Sequence, residues 1–330
     1  MDSYLYKNEE SEILNSSSGG AFKRIISVIN DEDDIFIYGA VWDEDLSVKH
    51  IYLKATDDIQ QFSESKYARS RMEDCFRNIV EQLQGGKTVV FSGTPCQIAG
   101  LKSLVEIKRV DTTKLYLIDI ICHGTPSPII LDEWKKSIER KYKKKVKSIS
   151  FRDKKIGWLG YPTKVRFTDG EIIRRTYKAQ EYIRLFFSHF IMAPSCYECP
   201  FSNMNRQSDI TIGDFWGVEN SFPDVNPGKG VSLVLANTKK GNDILERINK
   251  SKTLNETIIQ CEKKSFLQYQ HNLNKPTERP IGRDKFWNDF AKYGYDFAIK
   301  ENNISSRFKE LKYNIKFILF KLGLYNRYFN

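Results

Sequence analysis

Two short apolar runs separated by a helical stretch give the chain its clearest pattern. Lys87-Thr-Val-Val-Phe91 and Leu115-Tyr-Leu-Ile-Asp-Ile-Ile121 are nearly continuous in apolar residues, as strands buried on both faces are. Between them Ile98, Leu101, Leu104 and Val105 recur at three- and four-residue steps, which predicts a helix. A second helix is predicted over 127–142. Strand, turn, helix and strand in this order predict a βαβ unit with its turns at one edge, where open α/β sheets commonly take ligands. Upstream, the pattern predicts a short helix over 20–30, paired strands over 34–42 and 47–55, and a helix over 70–84.

From about residue 146 the period changes. Val146–Phe151 and Thr163–Thr168 alternate like half-exposed strands, and Asp169-Gly170 supplies a hairpin turn into Glu171–Tyr177. A helix over 180–191, a buried strand over 231–236, a helix over 241–249 and a strand around Cys261 follow. The expected class is mixed α/β (α+β): a βαβ-containing core sheet, a second mixed sheet region and a helical C-terminus. The expected boundaries are 1–145, 146–300 and a tail, 301–330.

Composition narrows the function classes. At 330 residues, 40% hydrophobic and 28% charged, the chain reads as soluble and globular. Its net charge of +10 suits either a solvated surface or an anionic cofactor, acidic protein or membrane surface. With no helix-turn-helix, zinc-finger or ribonucleoprotein motif, nucleic acid is not an expected partner. Met1-Asp-Ser-Tyr-Leu-Tyr-Lys7 lacks the regions of a signal peptide, and no run is apolar enough to span a bilayer. A cytoplasmic location is therefore expected. Thiols stay reduced there, so clustered cysteines point to metal or redox chemistry rather than disulfides.

Four of the six cysteines lie in Gly/Pro-rich turns: Cys96 in Gly93-Thr-Pro-Cys96, Cys122 in Cys122-His-Gly124, and Cys196 and Cys199 in Pro194-Ser-Cys-Tyr-Glu-Cys-Pro200. A Cys-x-x-Cys pair plus two remote cysteines can supply the four thiolates of a 4Fe–4S cluster. The same set can hold a structural zinc, or no metal at all. Pro95 favours a first helical position, which puts Cys96 in a helix's first turn, where partial positive charge favours a thiolate. Cys75 and Cys261 lack such turns and read as fillers. Ser16-Ser-Ser-Gly-Gly-Ala-Phe22 opens a helix, either as an anion nest or through plain capping by Ser17 or Ser18. There is no GxGxxG and no Walker A sequence. Asp214-Phe-Trp-Gly217 stands without any other kinase element, and His123 beside Cys122 reads as structural or as a proton donor.

These motifs, in this order, resemble the coenzyme F420 hydrogenase/dehydrogenase beta-subunit family over roughly residues 10–275. The resemblance rests on Ser16–Phe22, Ser65-Lys-Tyr-Ala-Arg-Ser70, Phe91–Gly100, Cys122-His-Gly-Thr-Pro-Ser-Pro128, Phe151-Arg-Asp-Lys154, Cys196-Tyr-Glu-Cys199 and Asn205–Gly217. It implies a flavoprotein that binds FAD beside a 4Fe–4S cluster, exchanging a hydride with a small-molecule substrate, F420-like or otherwise. By the same resemblance Cys96, Cys122, Cys196 and Cys199 become cluster ligands. Ser18, Gly19, Gly20, Lys66, Tyr67, Gly93 and Thr94 become flavin contacts, and Lys66 and Arg152 become groups that steady an anion or form surface salt bridges. Many bacterial relatives carry a two-cluster ferredoxin module before the Ser-Ser-Ser-Gly-Gly motif. Here only about fifteen residues without cysteine precede it, so a separate ferredoxin-like carrier is expected. The alternative is a non-catalytic cluster- or zinc-stabilised interaction protein, associated with surface-polysaccharide synthesis as some relatives are.

The tail carries one more pattern. Phe308, Leu311, Ile315, Ile318 and Leu322 fall at helical steps among Arg307, Lys309, Lys312, Lys316 and Lys321. Two expectations follow: a terminal helix that docks this stripe on the protein's own core, or peripheral contact of residues 304–324 with an anionic membrane, such as the inner membrane face, or an acidic partner.

Overall fold

The computed structural model describes residues 1–29, 35–54, 56–156, 158, 161–305 and 307–321. Among them are twelve strands: β1 (Asp2–Lys7), β2 (Ile35–Trp42), β3 (Val48–Lys54), β4 (Ser70–Arg71), β5 (Thr88–Gly93), β6 (Leu115–Ile120), β7 (Val146–Ser150), β8 (Lys164–Phe167), β9 (Ile172–Arg174), β10 (Ile210–Asp214), β11 (Ser232–Ala236) and β12 (Thr257–Cys261). The chain forms two compact units, each assembled from separate segments. The first takes Met1–Glu64, Ser70–His123 and Cys199–Pro276; the second takes Ser65–Arg69, Gly124–Glu198 and Thr277–Asn330.

The first unit is built on a nine-stranded sheet in the order β12-β1-β11-β10-β6-β5-β2-β3-β4. At its centre β2, β5, β6 and β10 run parallel. The predicted βαβ unit is β5, the helix Pro95–Ile107 and β6. Val89, Val90 and Phe91 are fully buried, which is why this strand reads as an unbroken apolar run. Side chains alternate between the two faces. Val90 and Ile118 pack with helices Ala21–Ile29 and Lys239–Lys250 through Ile25, Ile26, Ile244 and Leu245. Val89, Phe91 and Leu117 pack with helices Cys75–Gln84 and Pro95–Ile107 through Ile79, Leu83, Ile98 and Leu101.

Two features depart from the sequence reading. The strands β10, β11 and β12 do not form a second sheet with the region after 146: β10 pairs with β6 in parallel, and β11 and β12 extend the large sheet. The first residues, read only for the absence of a leader, form β1, which inserts between β11 and β12. The placement of β1 rests on pairings between residues more than 200 positions apart, which local periodicity does not encode.

The second unit holds the three-stranded sheet β7-β8-β9, with the predicted hairpin at Asp169-Gly170 (Gly170 φ +91°). Its core is aromatic. Phe151 stacks on Tyr182 at 5.2 Å, Trp134 lies 5.4 Å from Tyr182, and Tyr67 meets Phe186 at 4.9 Å. The helix expected over 180–191 stops at Phe187.

The terminal helix Arg307–Lys321 forms as predicted, but its apolar stripe does not dock on the core. Phe308, Leu311, Ile315 and Ile318 are 50–76% exposed, and the helix instead faces the unit with Tyr313, whose hydroxyl donates to Arg175 O at 2.8 Å. Leu322, the last predicted member of the stripe, lies outside the described residues.

Candidate functional site

Strand direction decides what the first unit gathers at one edge. Because β5, β6 and β10 are parallel, their ends at Gly93, Ile120 and Asp214 share the carboxyl edge. The strand β11 runs the other way and starts there at Ser232, and β1, antiparallel to it, ends there at Lys7. The loops that follow carry Ser16–Gly20, Thr94–Cys96, Cys122-His123 and Phe215–Gly217.

The Ser16–Gly20 turn is pinned onto β1 and β11. Asn8 N–H donates to Gly19 O at 2.8 Å, Gly19 N–H donates to Ser232 Oγ at 2.9 Å, and Ser18 Oγ donates to Val231 O at 2.8 Å. A Cβ on Gly19 would lie 2.5 Å from Tyr6 O and 2.6 Å from Ser232 N, so only glycine fits this approach. Gly20 then turns the chain into the helix at φ +85°. The Ser18 hydroxyl thus ties the turn to β11.

Cys96 lies in the first turn of Pro95–Ile107, as Pro95 predicts. Gln97 Oε1 accepts from Thr94 N–H at 2.9 Å, the returning half of a capping box, and fixes the turn. Thr94 Oγ1 lies 3.2 Å from Cys96 Sγ, and Cys96 is exposed. At Gly93 an added Cβ would lie 2.9 Å from Gln97 Oε1, so the glycine leaves room for that cap.

Below the Cys122 turn is a polar lock that the sequence reading missed. The Arg206 side chain is 1% exposed and that of Asp119 is wholly buried; Arg206 Nη2 donates to Asp119 Oδ2 at 2.8 Å. Arg206 also donates to Thr211 Oγ1, to Phe201 O and to Asn203 O, at 3.1, 3.1 and 3.3 Å. One guanidinium therefore holds the segment after Cys199 against the end of β6, the strand that runs into Cys122. Burial pushes the Asp119 carboxyl above its ordinary range, opposed by Arg206 and nearby hydroxyls. The signal was legible: Asp119 is the one charge in an apolar strand run, and a buried charge requires a partner.

In the second unit, Cys196 sits in the turn Pro194–Glu198. Its Sγ accepts from Thr125 N–H at 3.3 Å, while Ala193 N–H donates to Thr125 O at 2.8 Å. Gly124, at φ +121°, leaves space that a Cβ would contest with Met192 Sδ at 3.0 Å. Tyr197 is held by Arg283 Nε at 3.0 Å.

Lys66, Tyr67 and Arg152 also fall in the second unit, whereas Ser18, Gly19, Gly20, Gly93 and Thr94 belong to the first. Arg152 is 3% exposed, which overturns its reading as a surface salt bridge. Its guanidinium lies 4.6 Å from the Tyr161 ring centre, and Nη1 donates to Tyr67 OH at 3.3 Å. The Tyr67 carbonyl accepts from Tyr182 OH at 2.6 Å. Lys154 and Arg175 are buried in the same unit.

The donor chemistry fits thiolate ligation. None of the six cysteines is in a disulfide, Cys96 is exposed, and Cys122, Cys196 and Cys199 are partly accessible. Cys75 is buried and Cys261 is, like those three, partly accessible; desolvation pushes both up to about 11, which keeps them as thiols. Among the described residues no three or more His, Cys, Asp or Glu side chains are gathered as a metal site.

Comparison with known proteins gives three findings. Residues 86–260, more than half of the chain, match a family model that describes the C terminus of the coenzyme F420 hydrogenase/dehydrogenase beta subunit. No curated protein matches. Among solved structures, the chain is similar to one in the xenon-derivatised F420-reducing NiFe hydrogenase complex from Methanosarcina barkeri. The TM-score is 0.54 at 15% identity, over 88% of this chain and 92% of that one. At that identity the likeness speaks for the fold alone.

Proposed function

The chain belongs to the coenzyme F420 hydrogenase/dehydrogenase beta-subunit family, a family of hydrogenase/dehydrogenase-type oxidoreductase subunits, and on that premise we propose that it is an FAD- and 4Fe–4S-dependent oxidoreductase. In this reading it passes electrons between a small-molecule hydride donor or acceptor of the F420 type and a separate ferredoxin-like carrier. The observation that carries the reading is the carboxyl edge of the parallel strands, where the Ser16–Gly20, Thr94–Cys96 and Cys122 turns follow strand ends that share it.

Cys96, Cys122, Cys196 and Cys199 are the proposed cluster ligands. Ser18, Gly19, Gly20, Gly93 and Thr94 offer close backbone approach and hydroxyls for a phosphate-bearing cofactor. Lys66, Tyr67 and Arg152 are the proposed cationic and aromatic groups for its anionic or ring portions. When bound, a flavin exchanges electrons in pairs and a cluster exchanges them singly. The protein's own part is to orient. Arg206 fixes the segment after Cys199, Gln97 fixes the helix start that carries Cys96, and Thr125 N–H donates to Cys196 Sγ, a bond that favours the thiolate.

Anaerobic purification followed by flavin, iron and sulfide analysis tests the reading. The expected result is bound FAD with about four irons per chain. Stoichiometric zinc without iron after anaerobic reconstitution overturns the cluster. Failure to bind FAD, with normal folding and metal content, overturns the enzyme and leaves a metal-stabilised interaction module.

A further inference from the structure

The terminal helix presents a surface that its own unit leaves uncovered. At 100° per residue, Phe308, Leu311, Ile315 and Ile318 fall within an arc of about 80°, and Tyr313 lies diametrically opposite. The exposures agree: the four apolar side chains are 76, 59, 50 and 57% exposed, while Tyr313 packs inward 5.6 Å from the Tyr177 ring. Glu310, the one acid between 307 and 321, pairs with Lys141 at 3.0 Å. Lys309, Lys312 and Lys316 follow one flank of the stripe. The Lys141 contact also marks where a basic run begins, Lys141-Tyr-Lys-Lys-Lys-Val-Lys147, with Lys143, Lys145 and Lys147 exposed.

From this arrangement we infer that residues 307–321 form an interfacial helix that seats the protein on a bilayer with anionic headgroups. The apolar stripe enters the acyl boundary and the lysines meet the headgroups. No described helix is long and apolar enough to cross a membrane, so the mode is lying on the surface. Charge selects this occupant. A second copy would bring two lysine-flanked stripes together, with like charges opposed, whereas an anionic lipid surface complements both the stripe and its flank.

Sedimentation of the full chain with vesicles tests the inference, comparing equal parts phosphatidylcholine and phosphatidylglycerol with phosphatidylcholine alone. The wild type is expected to sediment with the anionic vesicles, and less so as salt is raised. The double variant Leu311→Asp/Ile315→Asp is expected to lose at least tenfold in partitioning. Lys309→Gln/Lys312→Gln is expected to lose roughly fivefold per lysine. All four positions are exposed, so unchanged thermal midpoints are expected and separate lost binding from lost fold. Equal partitioning of wild type and the Asp variant overturns the inference. So does a concentration-dependent dimer dispersed by Leu311→Asp, or retention on an acidic polypeptide, without vesicle binding.

Discussion

The two units arrange their buried charges differently. In the first, the buried carboxylates each have structural donors: Asp119 has Arg206, Asp209 has the Leu117 amide and the Thr238 hydroxyl, and Glu256 has Arg24 and Tyr6. In the second, Arg152, Lys154 and Arg175 are buried beside an aromatic core, and the acids there, Asp153 and Glu181, are engaged by Arg174 and by Lys178 with Tyr295. The contrast separates two uses of a buried charge. The acids fix turns at a sheet edge, whereas Arg152 lies over the Tyr161 ring and donates to Tyr67 OH, an arrangement that ties aromatic segments together.

Substitution puts that contrast at risk. Asp119→Ala leaves Arg206 uncompensated, and a loss of about 3–5 kcal/mol in unfolding free energy is expected by denaturant titration. Arg152→Met removes the donor to Tyr67 OH and is expected to lower the denaturation midpoint, though less than Asp119→Ala does, while retention of flavin through gel filtration falls. Comparable destabilisation by both would erase the distinction. Gly19→Ala forces a Cβ onto the backbone of Tyr6 and Ser232, and a cost of about 1–3 kcal/mol is expected, read as a lower thermal midpoint.

Cysteine substitution sharpens the comparison within the first unit. Cys199→Ala is expected to lower metal content and thermal midpoint together, since ligation couples to folding; Cys261→Ala leaves metal content unchanged. Equal iron loss from both rules out the ligand assignment. The smallest effect is kinetic. With their thiols raised to about 11, Cys75 and Cys261 carry little thiolate at pH 8, and reactivity there grows only as pH climbs toward that value. Iodoacetamide mapping of apoprotein at pH 8 is therefore expected to label Cys96 well before either.

Local pattern made part of this legible. The apolar runs at β5 and β6 gave two buried strands, Pro95 gave the first-turn place of Cys96, and Asp169-Gly170 gave the hairpin. What local pattern does not contain is pairing over distance. Nothing around Asp2–Lys7 announces Ala236 and Cys261 as neighbours, so β1 and the return of β10–β12 to the first sheet were unreadable. For the expected site, the sequence offers residue types and turns, but local pattern says nothing of which residues the fold brings near one another. Arg152 looks like a surface cation in sequence, yet it is buried, with contacts to Tyr67 and Tyr161 that its own neighbours in the chain do not announce. The tail shows the opposite case: the stripe was legible, but its outward facing is set by Tyr313 and Glu310 on the other side.

The strand β1 also sets a timetable. It leaves the ribosome more than 200 residues ahead of its partners, so Leu5 finds Leu233 and Ile259 only after those have been made. At typical elongation rates of about 5–20 residues per second, it waits on the order of ten to fifty seconds with its apolar face unsatisfied. The β5–α–β6 core can close earlier, from neighbours in the chain. The stretch of synthesis before Cys261 is therefore the vulnerable one. A nascent chain stalled before residue 230 would carry central strands still bare of the helix Lys239–Lys250 and an orphan strand, the kind of edge that holdase chaperones cover and that otherwise recruits other chains.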